Sequence, residues 1–248
     1  IRFKEKFCFF SKKRSQGKLI WFHGASVGEI LSVVPLIEKL EKNKKINQIL
    51  LTSNTLSSSK ILSNLKFKKT IHQFFPIDTN YHTKKFLDYW EPSSAFFIDS
   101  EIWPNMVTNI KNKSISLILL NARITVKTFN KWQLIKSTAK NIFQKFDVCL
   151  SSNFQSIKYL KSLGAKKIKY IGNLKFSQSE KNDDYLSKDI KRYFLSKKIL
   201  CAASTHNTEE KIFFTAHKKL KKKHKNLLTI IIPRHIDRSK NIIKEIKN

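Results

Sequence analysis

The decapeptide WFHGASVGEI, residues 21–30, brings an imidazole, a hydroxyl and a carboxylate together as His23, Ser26 and Glu29. It also holds Gly24 and Gly28, two of only five glycines in 248 residues. The letters from Gly24 to Gly28 spell G-x-S-x-G, the pattern of a nucleophile elbow, where a serine on a strained strand-to-helix turn attacks an acyl group. That elbow normally follows several strands, whereas the apolar run before Ser26 is the first of the chain, so a hydrolase is disfavoured. Two readings of Glu29 stay open on residue type alone. It is a general base that takes a proton from an attacking hydroxyl, or a first-turn glutamate that complements a helix dipole. The helix N-terminus would keep Glu29 ionised and so weaken it as a base, while the glycines would let a substrate approach closely.

Other polar residues follow apolar runs in the same manner: Asp78, Asp99 to Glu101, Asn121 to Arg123, Asn173 to Lys175, Ser204 to His206, and Arg234 with His235. Glu101 reads as a loop acid, a partner for a lysine, or part of a site. Ser204 and Thr205 precede an acidic helical stretch, where they suit an N-cap and where backbone amides can hold a phosphate. Arg234 can fork onto a phosphate. His23 and His235 read as structural or substrate-adjacent. Neither G-x-G-x-x-G nor G-x-x-x-x-G-K-[ST] occurs, and no metal-ligand spacing such as H-E-x-x-H is present, so neither a dinucleotide cofactor nor a metal is expected. Cys8, Cys149 and Cys201 are far apart and unpaired in spacing, which fits a reducing cytoplasm.

The elements that must position these groups are visible as alternation. Strands are expected at 18–24, 46–54, 70–78, 94–104, 114–124, 148–153 and 167–173, with helical spacing between them, including a single stripe over 131–146. Apolar strands alternating with helices imply parallel pairing and right-handed crossovers. Residues 1–173 thus read as a doubly wound α/β domain, and the polar stretch 174–197 as a linker. The rhythm restarts with strands at 198–205 and 227–234, so 198–248 is expected to be the start of a second α/β domain, incomplete within this chain. Open sheets of this kind bind ligands beyond the carboxyl ends of their strands, which is where the polar residues lie. No run of 18 apolar residues occurs.

Lys and Arg number 49 against 18 Asp and Glu, a net charge of +31. That points to phosphates or an anionic membrane surface. Only six of the 49 are Arg, however, and Lys, Ile, Asn and Phe are abundant together, the drift expected of A+T-rich DNA. Nucleic-acid readers favour the arginine fork, and stretches such as KKLKKKHK (218–225) read as solvated helix faces.

WFHGASVGEILSVVPLI, DSEIWPN (99–105), NAR (121–123), LGA with IGNLKF (163–176), ASTHNTEE (203–210) and PRHIDR (233–238) resemble, in order and spacing, the 3-deoxy-D-manno-octulosonic acid (Kdo) transferase family. The resemblance implies a GT-B fold of two Rossmann-like halves, an acceptor-side half followed by a donor-binding half. It implies an inverting glycosyltransferase of lipopolysaccharide biosynthesis that moves Kdo from CMP-Kdo to the lipid A precursor, on the cytoplasmic face of the inner membrane. Glu29 falls on the family's general base, Glu101 and Lys175 on residues that stabilise the transition state, and Pro233 and Arg234 on the CMP-binding pair. Ser204 and Thr205 join the donor side; Ser26 and Arg123 join the acceptor side. The family's STHEGEE reads STHNTEE here and its PRHPER reads PRHIDR, neither at a matched catalytic position. CMP carries one phosphate, so no metal is implied, and no cofactor. The alternative is a basic nucleic-acid-binding protein without enzymatic activity. Glu29, Asp99 and Glu101, crowded at strand ends, would repel a polyanion there, and no specific nucleic acid is expected as a partner.

Overall fold

Every strand pairing among the described residues is parallel. The computed structural model describes residues 2–65, 67–177 and 187–247, and the chain divides into two compact units, residues 1–179 and 180–248. The first unit runs β1 (Leu19–His23), α1 (Val27–Glu41), β2 (Gln48–Ser53), α2 (Leu56–Ser63), β3 (Thr70–Phe74), α3 (Asn80–Trp90), β4 (Ser94–Ile98), α4 (Pro104–Asn112), β5 (Ser116–Ala122), α5 (Val126–Gln133), α6 (Lys136–Phe143), β6 (Val148–Ser151), α7 (Phe154–Ser162) and β7 (Ile168–Tyr170). Its sheet has the order β3-β2-β1-β4-β5-β6-β7. Growth of the sheet therefore reverses after β3, and β1 lies beside β4 at a topological switch point, where a crevice opens beyond the strand ends.

β1 and β2 are buried along their whole length, which is why each is built around an apolar run, Leu19–Phe22 and Ile49–Leu51. Alternate residues feed two apolar layers. Trp21, Leu50, Phe97 and Leu119 join side chains of α3, α4, α6 and α7, among them Phe86, Trp90, Met106, Phe143 and Leu160. Phe22, Ile49, Leu51, Ile98 and Leu120 join Ile30, Val33 and Ile37 of α1 and Leu62 of α2. Helices thus cover both faces, and the ends of β1, β2 and β4 are buried.

Three features depart from the expectations above. The stripe over 131–146 is two helices, α5 and α6, broken at Leu134 and Ile135, where Ile135 has left helical geometry (φ −127°, ψ 52°). The break lets Trp132 meet Phe143 edge to face, with ring centroids 5.3 Å apart, while Ile135 is left half exposed. Second, Arg2–Phe7 form a 3-10 helix that no local pattern announced. Its Glu5 is 1% exposed and accepts bonds from the Arg2 guanidinium and from the Phe74 amide of β3. Burial pushes the Glu5 carboxyl up, but those bonds and one from Ser11 outweigh it and hold it below the ordinary range. Third, within the linker expected over 174–197 most of the described residues are helical. Leu174–Ser177 form a 3-10 turn in the first unit, Lys188–Leu195 form α8 in the second, and 178–186 lie outside the described residues.

The second unit continues with β8 (Lys198–Thr205), α9 (Glu209–Lys223), β9 (Leu227–Pro233) and α10 (Ser239–Lys247). β8 and β9 form a two-stranded parallel sheet. Among the described residues no helix is long and apolar enough to cross a membrane.

Candidate active site

Ser26 is the N-cap of α1, in ordinary extended backbone (φ −106°, ψ 160°). Its Oγ accepts from the Glu29 amide at 3.4 Å, and Glu29 Oε2 accepts in return from the amides of Ala25 at 2.7 Å and Ser26 at 3.4 Å. This is a capping box, and the backbone is unstrained, so Ser26 is not a nucleophile elbow. The capping role read for Glu29 is therefore real, but it occupies one oxygen. Oε1 accepts no hydrogen bond among the described residues and remains available for a proton.

Gly24 serves a different purpose from the one expected. A Cβ there would stand 3.1 Å from Glu29 Cβ and 3.1 Å from Ile98 Cδ1, so its bare backbone makes room for the carboxylate and for β4. Gly28 has positive charge for a neighbour, with Lys175 Nζ 3.9 Å from the same construction. Gly24→Ala is expected to displace the first turn of α1, costing about 1–3 kcal/mol of stability by overpacking. Misplacing the carboxylate by about 1 Å should lower turnover by about a hundredfold. Thermal melting and kinetics of the variant check this; wild-type values for both would show that the space is not needed.

Electrostatics weigh on the tension between ionisation and basicity. Burial pushes Glu29 above the ordinary carboxylate value, the nearby Glu101 charge adds to this, and the amide bonds only partly offset the two. The result is a stronger base than a helix N-terminus alone would leave. Below its raised pKa Glu29 carries a proton and cannot accept another.

Glu101 lies in the loop after β4, with its side chain 16% exposed. Its Oε2 accepts from Trp103 Nε1 at 2.9 Å and stands 3.3 Å from His23 Nε2. His23, the last residue of β1, is wholly buried, stacked on Phe75 with centroids 3.8 Å apart. Burial holds its imidazole below the ordinary value, against the opposing pull of Glu101 and Thr52.

Lys175 is brought in by a second network. Asp99 and Asn121, at the ends of β4 and β5, both adopt left-handed backbone (φ 55° each). Asn121 Nδ2 donates to Asp99 Oδ1, and Asn121 Oδ1 accepts from the Leu174 amide at 3.0 Å. The turn carrying Lys175 is thereby tied to the strand ends. Burial raises the Asp99 carboxyl, countered by Asn121 and by the charges of Lys175 and Arg123. Arg123 is exposed, and its amide donates to the Asp99 carbonyl at 3.3 Å. The fold therefore gathers Ser26, Glu29, Glu101, Arg123 and Lys175 at one end of one sheet. Residue type alone passed over Trp103 and read His23 only as structural or substrate-adjacent; the signal that could have linked them is the aromatic residue two places after a strand-end acid.

In the second unit, Pro233 ends β9 and the exposed Arg234 donates its amide to the Thr205 carbonyl at 3.0 Å. Ser204 is exposed, in left-handed backbone (φ 61°). The N-cap expected from Ser204 and Thr205 does not form. α9 begins after Thr208, which makes no side-chain cap bond, and Glu209 Oε2 instead accepts from the His206 amide at 2.7 Å. The buried Thr205 hydroxyl donates to Glu210 Oε1 at 2.7 Å, and Glu210 Oε2 pairs with Arg238 at 3.0 Å. Among the described residues no group of three or more His, Cys, Asp or Glu is placed to hold a metal ion.

The sequence profile described as 3-Deoxy-D-manno-octulosonic-acid transferase (kdotransferase) matches residues 1–178. The chain belongs to that family. Among curated relatives, the 3-deoxy-D-manno-octulosonic acid transferase of Rickettsia bellii (strain RML369-C) is 34% identical over 244 residues, covering 98% of this chain and 58% of the relative. That of Rickettsia prowazekii (strain Madrid E) is 36% identical over 231 residues, 92% of this chain and 50% of the relative. That of Haemophilus influenzae is 28% identical, over 88% and 52%. The chain thus spans about half the length of these Kdo transferases. Among solved structures, UDP-GlcNAc 2-epimerase from Neisseria meningitidis bound to UDP-GlcNAc superposes with a TM-score of 0.64 at 15% identity, over 93% of this chain and 68% of that one. The S. aureus MnaA–UDP structure gives 0.61 at 14%, over 92% and 65%. These two share the fold, which is α/β of the GT-B type.

Proposed function

We propose that the protein transfers Kdo from CMP-Kdo to the lipid A precursor with inversion at the anomeric carbon. The observation that carries this reading is the convergence of Glu29, Glu101 and Lys175 beyond β1 and β4, with Glu29 held above the ordinary carboxylate value and one oxygen unoccupied. In this reading Glu29 Oε1 takes the proton of the acceptor hydroxyl as its oxygen bonds to the anomeric carbon. The bond from that carbon to the CMP phosphate oxygen breaks on the opposite face, and CMP departs with the electron pair. Lys175 offsets the charge that develops, as fixed cations do in such sites. CMP contacts fall to Pro233 and Arg234, with the Ser204 region beside them, and Ser26 and Arg123 face the acceptor.

Membrane association at the cytoplasmic face of the inner membrane is part of the proposal. Phe3, Phe9 and Tyr81 are exposed by 58%, 60% and 67%, Lys85 Nζ lies 5.6 Å over the Phe9 ring, and the net charge is +31. Aromatic rings beside lysines suit an anionic lipid surface. The test is Kdo transfer by the full-length protein from CMP-Kdo to the lipid A precursor, run beside sedimentation with vesicles. Transfer is expected, with binding to anionic vesicles that weakens as salt rises from about 0.05 to 0.5 M. Absence of transfer, together with sequence-selective DNA binding at physiological salt, would replace the enzyme reading with the nucleic-acid one.

A further inference from the structure

The hydrogen bonds around His23 fix which of its ring nitrogens carries the proton. Nδ1 lies 3.0 Å from Thr52 Oγ1 and 3.3 Å from the Thr52 carbonyl. A carbonyl only accepts, and the Thr52 hydroxyl already donates to the Phe22 carbonyl at 3.3 Å while accepting from Trp21 Nε1 at 2.9 Å. Nδ1 is therefore the donor, and Nε2 presents a lone pair toward the loop after β4. What it meets are the Trp103 indole N–H at 3.1 Å and, at 3.3 Å, Glu101 Oε2, to which that same N–H donates at 2.9 Å. One donor is thus shared by two acceptors, and its direction is set by an imidazole that cannot move. Thr52 pins the ring's edge, Phe75 stacks on its face, Phe97 packs edge-on at 5.3 Å, and none of it is exposed. On the other side, Glu101 Oε1 accepts no hydrogen bond among the described residues.

We propose that His23 is a positioning residue for Glu101: as the Nδ1–H tautomer anchored on Thr52, it orients the Trp103 indole N–H, which holds one oxygen of Glu101 and leaves the other for the reacting groups. This rests on the reading of Glu101 as part of the catalytic centre given above. His23 itself touches no substrate; it acts through Trp103.

Side-chain length separates this role from a packing role. His23→Asn keeps a polar atom near the Nδ1 position, able to reach Thr52, but has nothing at Nε2. His23→Gln places an amide oxygen near Nε2, able to accept from Trp103. In Kdo transfer by the full-length protein, His23→Asn is expected to lower kcat about ten- to a hundredfold with KM changed less than about twofold, the cost of a loosened catalytic group. His23→Gln should recover most of that loss, and Trp103→Phe, which deletes the N–H, should match His23→Asn. In a Glu101→Gln background His23→Asn should lower kcat less than about threefold, since coupled residues are not additive. A full loss in that background, equal losses for Asn and Gln, or wild-type kcat in Trp103→Phe would each overturn the proposal; the last applies even if His23→Asn does not fold. Wild-type turnover in Glu101→Gln would instead refute the assignment of Glu101, and this role with it. A large loss there with an additive His23 effect refutes the positioning role alone.

Discussion

Glu29→Gln in the full-length protein is expected to lower turnover by about a hundredfold to ten-thousandfold, the usual worth of a general base, without lowering the melting temperature. The two halves of this expectation come from the two oxygens of one side chain. Oε2 caps α1 through the Ala25 and Ser26 amides, and glutamine serves as well as glutamate at the third helical position of a capping box. The amide oxygen can therefore preserve the cap, while the proton-accepting Oε1 is lost. CMP binding should survive, because its contacts are assigned to Pro233 and Arg234. Transfer kinetics, CMP titration and thermal melting on the same variant measure all three. Normal turnover would return Glu29 to a capping role only. The pH dependence has a definite sign as well. Burial and Glu101 raise the Glu29 carboxyl, so activity of the unmodified protein should decline on the acid side at a pH above the ordinary carboxylate value of 4.5, where the base becomes protonated.

The second large effect concerns stability. Trp21→Ala is expected to cost about 3–5 kcal/mol, the range for removing a large aromatic side chain from a packed core. Trp21 is wholly buried at the centre of β1, against Phe86 and Phe97 with centroids 5.0 and 5.2 Å away. Its loss leaves a cavity and also strips a donor from the Thr52 hydroxyl that it meets at 2.9 Å. Since Thr52 anchors His23, the damage reaches the site. Denaturant unfolding read by hydrogen exchange of the β1 and β2 amides is the measurement. A change below about 1 kcal/mol would show that these strands do not depend on the indole.

The legible part of the fold is what burial imposes locally. β1, β2 and β4 are runs of apolar residues because helices cover both faces, and the polar groups beyond them stand out by contrast. β8 was read at its observed bounds for the same reason. The break between α5 and α6 was not legible, because the contact it permits between Trp132 and Phe143 is not one that helical spacing encodes. Nor was the 3-10 helix at Arg2–Phe7, whose Glu5 finds its partner in the Phe74 amide far along the chain. The site divides similarly. Glu29 is visible in a strand-to-helix motif, whereas Lys175 is one of 43 lysines, singled out in the sequence through the resemblance and in the structure by the bond that ties its segment to Asn121. Likewise the positive φ values of Asp99 and Asn121, which bond to each other at the strand ends, belong to residue types that adopt such backbone without announcing it.

The tie from Asn121 to Leu174 also sets a timetable. A chain emerging from the ribosome presents Glu29, Asp99 and Glu101 well before Lys175, which comes almost at the end of the first unit. Domains fold as units during synthesis, N-terminal portions first. Until residue 174 is free to bond Asn121, the three acids lack this ammonium, whose charge lowers the Asp99 carboxyl. The cation therefore arrives as a closing piece, and a nascent chain halted after β6 would hold a nearly complete sheet in which Arg123, but not yet Lys175, offsets the Asp99 carboxylate.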